Sequence, residues 1–530
     1  MQFLTASLST THPVINGLHT SSDWILRLAI TAAILMIIYR MIVSNPGSST
    51  RRPPAPPGLP ILGHLHLLGN LPHQSLWKLS QKYGPFISLR LGSVDAVVAS
   101  TPDLAKQILH IHDEALSNRP RTAAAVYLCF DCRDVTFAPL GRHWRFMRQI
   151  YANELFSPKR MESFRGIREE EVHELAKSIT FHGDAGKQAI GVRDFLLTAS
   201  NNINCRMTMG KKMKEVSATS NWDLHACIQE EMHLLGLFHL GDYIPWLAWL
   251  DPNGNLRRMK TIGAKLKAIL AEIIEKRRQE PQVNGHHRDL LDFLLATADS
   301  STLADGNKND FLTDDDIMAT ITDVLLGGSD TSPTVVEWAI ADLINNPQAM
   351  LKAQQELDNV IGKERLVRES DIPQLTYLDN VLKESMRLHP IAPLLVPREA
   401  HRECVIDGYR ILPKTRIYVN IHAIQRDPSI WERPFEFLPE RFHSKDTELK
   451  GHYFDFLPFG LGRRRCPGYA LGIANVRLML AALIHGFSWE CADTGRGEML
   501  HMTEKFGLVV ELAHSVRRLA KPRLPLDVYF

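Results

Sequence analysis

The length, composition and charge of the chain already exclude several classes of protein. It has 530 residues, of which 45% are hydrophobic and 23% charged, so it can bury a substantial core in one large domain or in two or three average ones. The formal net charge is only +2, and we therefore expect no nucleic-acid partner. Seven scattered cysteines favour a reducing compartment over a disulfide framework.

The first hydrophobic segment predicts a membrane anchor. Residues 24–43 form an apolar run that is long enough to cross a bilayer as a helix, with no charged n-region before it and no cleavage site after it. Arg40, Arg51 and Arg52 outweigh Arg27 near its start, which favours a cytosolic body. We predict a lumenal stretch over 1–23, a transmembrane signal anchor over 24–43, a basic, proline-rich linker over 44–60 and a catalytic domain over 61–530.

Two strands and a polar-faced helix are predicted next. Phe86–Leu91 and Val94–Ala99 alternate in hydrophobicity around a Gly-Ser turn, as paired strands do. A helical pattern follows over residues 141–156, and it places Trp144 and Arg148 four residues apart on one face. On these residues alone, the pair is typical of a surface cation–aromatic contact.

A long apolar helix that begins at Asp314 contains Gly327, Gly328 and Pro333, which are costly inside a helix. We predict a local distortion there, in which the two glycines open a groove for a flat cofactor or a small molecule. Asp330 and Thr331 would place an acid and a hydroxyl beside that groove. The alternative is a simple break between two shorter helices.

Charged residues in the C-terminal half form weaker patterns. Glu384 and Arg387 are three apart in a helix over residues 377–388, and Arg441 follows in a Pro-Glu-Arg-Phe string. Such a helical pair is weak evidence by itself, because it contributes only tenths of a kcal/mol on a surface. Arg398 comes directly after the extended apolar run 391–396.

The segment Phe459–Gly468 carries the strongest chemical signal. Its glycines, including Gly460, and three consecutive arginines surround Cys466 in a tight loop that precedes an apolar helix. We predict that Cys466 is a thiolate metal ligand, because nearby positive charge favours the ionised sulfur. A buried free cysteine in a glycine turn is the alternative.

In their order and spacing, these motifs resemble the cytochrome P450 family. The strings 439–442, 456–460 and 503–508 are similar to its plant microsomal (A-type) group. The resemblance implies a mainly α fold with small β-sheets (α+β), the cytochrome P450 fold, preceded by one N-terminal transmembrane helix.

The same resemblance implies a role for each candidate residue. Haem b would be the cofactor, Cys466 the axial iron ligand, and Asp330 and Thr331 the proton-delivering acid and alcohol. Glu384, Arg387 and Arg441 would form a buried network that braces the core. The residues expected to contact haem are Trp144, Arg148, Arg398, Arg464, Phe459, Gly460 and Gly468.

The implied activity is that of an NADPH-dependent monooxygenase at the endoplasmic reticulum membrane, acting on O2 and a small hydrophobic substrate. No G-x-G-x-x-G opens a helix after a strand, so electrons would come from a separate NADPH–cytochrome P450 reductase. An isomerase or dehydratase that does not use dioxygen, and a haem sensor or carrier, are the alternatives. Plant specialised metabolites and fatty acids, the latter hydroxylated in-chain, both stay open as substrates. We expect the pocket walls to come from the region after Ser117, residues 232–239, 317–328 and 391–396, and the vicinity of 506–508.

Overall fold

The structure is a computed structural model that describes residues 24, 26–35, 52–218, 223–280, 289–303, 312–443, 449, 453–491 and 499–530. The predicted lumenal stretch 1–23, most of the second half of the predicted anchor and residues 44–51 of the predicted linker lie outside these residues. Within the anchor, residues Leu26–Leu35 form a short apolar helix, α1.

The chain from residue 52 onwards is mainly helical. Its longer helices follow the apolar periodicities of the sequence, and shorter helices and turns connect them. The helices are α2 (Pro72–Tyr83), α3 (Pro102–Lys106), α4 (Asp113–Leu116), α5 (Ala123–Leu128), α6 (Arg142–Ile150), α7 (Pro158–Ser163), α8 (Arg165–His182), α9 (Val192–Met209), α10 (Met213–Ser217), α11 (Leu224–Gly236), α12 (Asn255–Gln279), α13 (Leu290–Leu303), α14 (Asp314–Ser329), α15 (Thr331–Asn345), α16 (Pro347–Ile361), α17 (Thr376–Leu388), α18 (Ile421–Ile424) and α19 (Tyr469–Gly486).

The strands are short and form small separate sheets. They are β1 (Phe86–Leu91), β2 (Val94–Ala99), β3 (Ala189–Gly191), β4 (Arg398–Glu399), β5 (Cys404–Ile406), β6 (Tyr409–Ile411), β7 (Arg416–Val419), β8 (Phe487–Glu490), β9 (Glu504–Lys505), β10 (Glu511–Leu512) and β11 (Arg517–Pro522). The four-stranded sheet has the order β1-β2-β7-β4, in which only β2 and β7 are parallel. Strands β3, β11 and β8 form a second sheet, and β5–β6 and β9–β10 are two-stranded.

The predicted hairpin is confirmed, since β1 and β2 have the predicted bounds and pair antiparallel from Phe86 opposite Ala99 to Leu91 opposite Val94. The helix at 141–156 is also confirmed as α6, which continues into a π-helical turn at Tyr151–Leu155. Strand β4 lies at the edge of this sheet and pairs with β7, with Arg398 opposite Ile417.

The largest core cluster surrounds α19, which packs against α8, α15 and α16. Among the described residues α19 is the one helix that is long and apolar enough to cross a membrane, and 72% of it is buried inside the protein. Its apolar sequence therefore reflects a central position in the core.

The predicted distortion of the long helix is confirmed as an interruption at Asp330, between α14 and α15. Thr313 and Asp316 cap the start of α14 reciprocally, with the Thr313 N–H donating to the Asp316 carboxylate over 2.9 Å. Gly327 and Gly328 have different surroundings. A Cβ on Gly327 would meet nothing within 4 Å, whereas one on Gly328 would lie 2.3 Å from the Asn204 amide. Both glycines line the cavity described below, and Gly328 in addition permits close packing of α9.

Candidate active site

The loop that carries Cys466 folds through two left-handed glycines. Gly460 and Gly462 have φ angles of 65° and 77°, which side chains rarely tolerate. A Cβ on Gly462 would also lie 2.3 Å from Asp113 Oδ1. The Cys466 N–H donates to the Phe459 carbonyl over 3.1 Å and closes the loop. Glycine at these positions therefore lets the chain turn and present the sulfur at the start of α19.

Burial raises the pKa of the Cys466 thiol, although the Gly468 N–H, which donates to the sulfur, and the charge of Arg148 oppose that rise. The prediction that neighbouring arginines favour the ionised sulfur is correct in direction, but burial outweighs them. A sulfur in this position becomes a thiolate when a cation binds it, as in metal coordination.

One cavity of about 300 Å³ brings most of the predicted site residues together. Cys466 lies on one wall, and the open face of Gly327 on α14 lies in the lining with it. The predicted residues that line this cavity are Trp144, Arg148, Thr331, Arg398, Phe459, Gly460, Arg464, Cys466 and Gly468. Asp330, Glu384, Arg387 and Arg441 lie outside the lining.

Trp144 and Arg464 form a stacked pair at the cavity wall. The Arg464 guanidinium lies 4.6 Å from the centre of the Trp144 ring, and the Trp144 indole N–H donates to the Val135 carbonyl over 3.1 Å. Arg464 itself donates to the carbonyls of Ser117 and Val135, over 2.8 and 3.1 Å, and to that of Ala138. Trp144 is therefore buried and its ring contacts Arg464, whereas the sequence spacing indicates a surface contact with Arg148.

The cavity wall carries more positive than negative charge. Arg148 and Arg464 donate to backbone carbonyls, and neither forms an ion pair with a carboxylate in the described part of the chain. Arg398 is paired with Asp113 over 2.7 Å and also donates to the Leu461 carbonyl. Buried guanidinium groups without counter-ions are costly, so this wall suits an anionic occupant. One cavity is therefore lined by the Cys466 thiol, by Gly327 and by several guanidinium groups. This combination fits haem b, because the thiol can ligate iron and the guanidinium groups can bind the two haem carboxylates.

Thr331 and Asp330 occupy different positions at the helix interruption. The Thr331 hydroxyl lines the cavity and donates to the Gly327 carbonyl over 2.7 Å. Asp330 is outside the cavity lining. Burial and the charge of Glu511 raise the pKa of Asp330 to about 6, although the charge of Arg193 opposes that rise. Thr331 can thus contact an occupant directly, whereas Asp330 cannot, because it does not line the cavity.

Glu384, Arg387 and Arg441 meet in the core away from the cavity. The Glu384 carboxylate accepts two bonds from Arg387, over 2.8 and 2.9 Å, and one from Arg441 over 2.9 Å. Glu384 and Arg387 are both completely buried. Arg387 also donates to the Gln425 and Pro434 carbonyls, so α17 is tied to the chain before the cysteine loop.

Sequence reasoning missed several residues of the site. Asp113 is the carboxylate that holds Arg398 and the Arg463 N–H, and buried Arg119 donates to the carbonyls of Val396 and Pro397. Asp323 accepts from Thr136 over 2.7 Å and from Tyr151 over 3.0 Å, which anchors the loop before α6. The position of Tyr151, three residues after Arg148, was the available signal. Asp113 and Arg119 had none, because their partners are distant in sequence.

The predicted walls of the pocket are confirmed in part. The cavity lining includes Met232, five residues of 317–328, four residues of 391–396 and Leu508. From the predicted region after Ser117, Arg119 lines the cavity, and Val135, Thr136 and Phe137 line it further along the chain.

Comparison with known proteins agrees with this geometry. The family model described as cytochrome P450 matches residues 53–513. The chain is 39% identical to a flavonoid 3'-monooxygenase of Petunia hybrida, over 90% of this chain and 93% of that protein. It is 42% identical to cytochrome P450 71A1 of Persea americana, over 87% and 92%. A zebra fish cytochrome P450 solved with progesterone superposes with a TM-score of 0.70 at 26% identity, covering 85% of this chain and 99% of that one.

The family match covers most of the chain, and the cavity places a cysteine thiol, a glycine-faced helix and a cationic wall around one space. The chain therefore belongs to the cytochrome P450 family of haem-thiolate monooxygenases.

Proposed function

We propose that this monooxygenase hydroxylates an aromatic ring of a phenolic plant metabolite of the flavonoid type. The observation that carries the proposal is the similarity to flavonoid hydroxylases over nearly the whole chain, at 39% identity for the Petunia hybrida protein and 37% for a flavonoid 3',5'-hydroxylase of Solanum melongena. The cavity agrees with it, since Phe137, Leu326, Ile391 and Leu508 provide apolar walls for a flat ring system.

Cys466 would ligate the iron, and Trp144, Arg148, Arg398 and Arg464 would bind the two carboxylates of haem b. Phe459, Gly460 and Gly468 shape the loop beneath it. When bound, haem b with a thiolate ligand supplies the dioxygen activation of the reaction. The Gly468 N–H that donates to the sulfur reduces its basicity and so tunes that ligand.

Asp330 and Thr331 would move protons into the cavity. A carboxyl with a pKa of about 6 gains and loses a proton readily near neutral pH. Because Asp330 does not line the cavity, its proton passes to the Thr331 hydroxyl, which does.

The electron donor and location follow from the family. The redox partner would be an NADPH–cytochrome P450 reductase, docking near the cysteine loop, where Arg463 is exposed. The apolar segment 24–43 would anchor the chain in the endoplasmic reticulum membrane with the catalytic domain in the cytosol.

The test is an incubation of the full chain in microsomes with reductase, NADPH and a panel of a flavanone, a medium-chain fatty acid and a monoterpene alcohol. We expect an NADPH-dependent mass increase of one oxygen on the flavanone ring. Cys466→Ala is the control, and it should lose both the product and the thiolate-type spectrum of the reduced carbonyl complex. Oxygenation of only the fatty acid or the terpenoid would overturn the substrate proposal.

A further inference from the structure

The helix interruption beside the cavity is held from outside by α9. Serine and threonine hydroxyls often bond the carbonyl four residues earlier in their own helix, whereas a bond from the hydroxyl of another helix is a tertiary contact. Here the Gly327 carbonyl accepts from the Thr331 hydroxyl over 2.7 Å, and the Gly328 carbonyl accepts from the Ser200 hydroxyl of α9 over 2.6 Å. Ser200 is completely buried, so its bond faces no competition from solvent.

Asn204 lies one turn further along α9 and packs directly on the interruption. A Cβ on Gly328 would lie between 2.3 and 2.5 Å from the terminal atoms of its amide. The Asn204 Nδ2 donates to the Ser200 carbonyl over 2.8 Å, which orients the amide. Ser200 and Asn204 therefore act on the same turn of the distorted helix.

The Oδ1 atom of Asn204 has no hydrogen-bond partner, although the residue is only 1% exposed. Asn204 also lines the cavity together with Gly327, Gly328 and Thr331. A buried amide oxygen without a donor is costly, and such atoms in polar parts of cavities usually bind ordered water. Nearby carbonyl and hydroxyl oxygens provide the further partners that a water needs.

We propose that Ser200 and Asn204 are positioning residues for proton delivery. Ser200 keeps the α14–α15 interruption open by holding the Gly328 carbonyl, and Asn204 Oδ1 binds a buried water beside Thr331. The inference rests on the proposed proton-delivering role of Thr331 and Asp330. Neither α9 residue is expected to touch the substrate.

The experiment uses the full chain with reductase and compares Ser200→Ala, Asn204→Leu and Thr331→Ala. The control is Thr198→Ala, because Thr198 is also on α9 but is exposed, and its hydroxyl bonds the carbonyl of Asp194 in its own helix. All variants are matched for haem content by the reduced carbonyl spectrum. Hydrogen peroxide formed per NADPH consumed, without substrate, measures failed proton delivery.

We expect a several-fold higher peroxide yield in Ser200→Ala and Asn204→Leu, approaching Thr331→Ala, and no change in Thr198→Ala. Amide hydrogen exchange provides a readout independent of activity. Exchange over residues 325–333 should accelerate in Ser200→Ala, while the rest of α9 and α15 keeps the rate of the parent protein.

The outcomes separate the two proposals. An unchanged peroxide yield in both α9 variants, with a raised yield in Thr331→Ala, would overturn the inference and leave the role of Thr331 intact. If Thr331→Ala is also unchanged, the proton role of Thr331 fails, and hydrogen exchange alone decides whether α9 positions the interruption. If amide hydrogen exchange over residues 325–333 in Ser200→Ala equals that of the parent protein, a positioning role of α9 is then excluded.

Discussion

Asp330 sits at the interruption between α14 and α15, and its environment gives it the acid–base behaviour that proton delivery needs. Burial and the nearby Glu511 disfavour its charged form, whereas Arg193 partly compensates. Arg193 is itself held by Glu337 over 2.7 Å and by Glu511 over 3.1 Å. The partly exposed Glu511 and its ion-pair partner Arg193 therefore act on the pKa of Asp330 in opposite directions.

The raised pKa of Asp330 predicts a pH-dependent stability. The pKa of about 6 in the folded protein exceeds the usual aspartate pKa of 3.8, which we take for the unfolded chain. The stabilisation from this group is therefore present at low pH and is lost as pH rises through 6. At about 1.4 kcal/mol per pKa unit, this difference in pKa corresponds to a cost of ionisation on the order of 3 kcal/mol. We expect Asp330→Asn to gain stability over the parent between pH 4 and pH 7, measured as the difference in unfolding midpoint.

Asp314→Asn provides the control with the opposite sign. The hydrogen bond from Arg278 lowers the pKa of Asp314, so its contribution is present above its unfolded pKa and is lost as pH falls. Loss of stability in that variant should therefore grow with pH. A stability difference between Asp330→Asn and the parent that does not change with pH would contradict the assigned pKa.

At the scale of elements, the ion network of α17 joins segments that are distant in sequence. Glu384 accepts from Arg387 in its own helix, from Arg441 and from the Leu438 N–H. A surface pair of this spacing would contribute little. Complete burial changes the energetics, because removal of one partner leaves a desolvated charge without compensation.

We predict that Glu384→Gln destabilises the protein by about 3–5 kcal/mol, because buried Arg387 loses its counter-ion. The matched control is Glu440→Gln, which removes an exposed ion pair with Lys352 in the same region and should cost at most about 1 kcal/mol. Denaturant unfolding and the yield of haem-loaded protein measure both. Equal stability of the two variants would show that the network does not brace the core.

For the whole molecule, the candidates for membrane attachment are the apolar segment 24–43 and the exposed apolar side chains of the folded domain. The side chains of Trp246 and Trp249 are 61% and 78% exposed, so they do not pack in the core. Leu59 near the end of the linker is exposed as well, and so are Ile61 and Leu62 directly after it. Stable attachment by such scattered side chains alone would be weak compared with a spanning helix.

We predict that deletion of residues 1–51 moves the protein from the carbonate-resistant membrane pellet to the supernatant, because the apolar run is lost. Trp246→Ser combined with Trp249→Ser, in the full chain, should stay in the pellet. The truncated protein should keep its thiolate-type carbonyl spectrum, since the family match begins at residue 53. Retention of the truncated chain in the pellet would contradict the anchor prediction.

Local patterns were enough for much of this protein. Alternating hydrophobicity predicted β1 and β2 to the residue, helical periodicity predicted α6 and α17, and the glycines and proline predicted the interruption after α14. The cysteine loop was equally readable, because its conformation depends on glycines within ten residues of the sulfur. Each of these features arises from neighbours in sequence.

The sequence by itself thus determined the family, the thiolate cysteine loop and the course of the main helices. Only the tertiary structure decided that Gly328 packs against Asn204 and that Thr331 lines the cavity while Asp330 does not. It also decided that Asp113 and backbone carbonyls hold the arginines of the cavity wall. The physical reason is that burial sets the pKa values and the cost of unpaired charge, and burial depends on contacts between segments far apart in the chain.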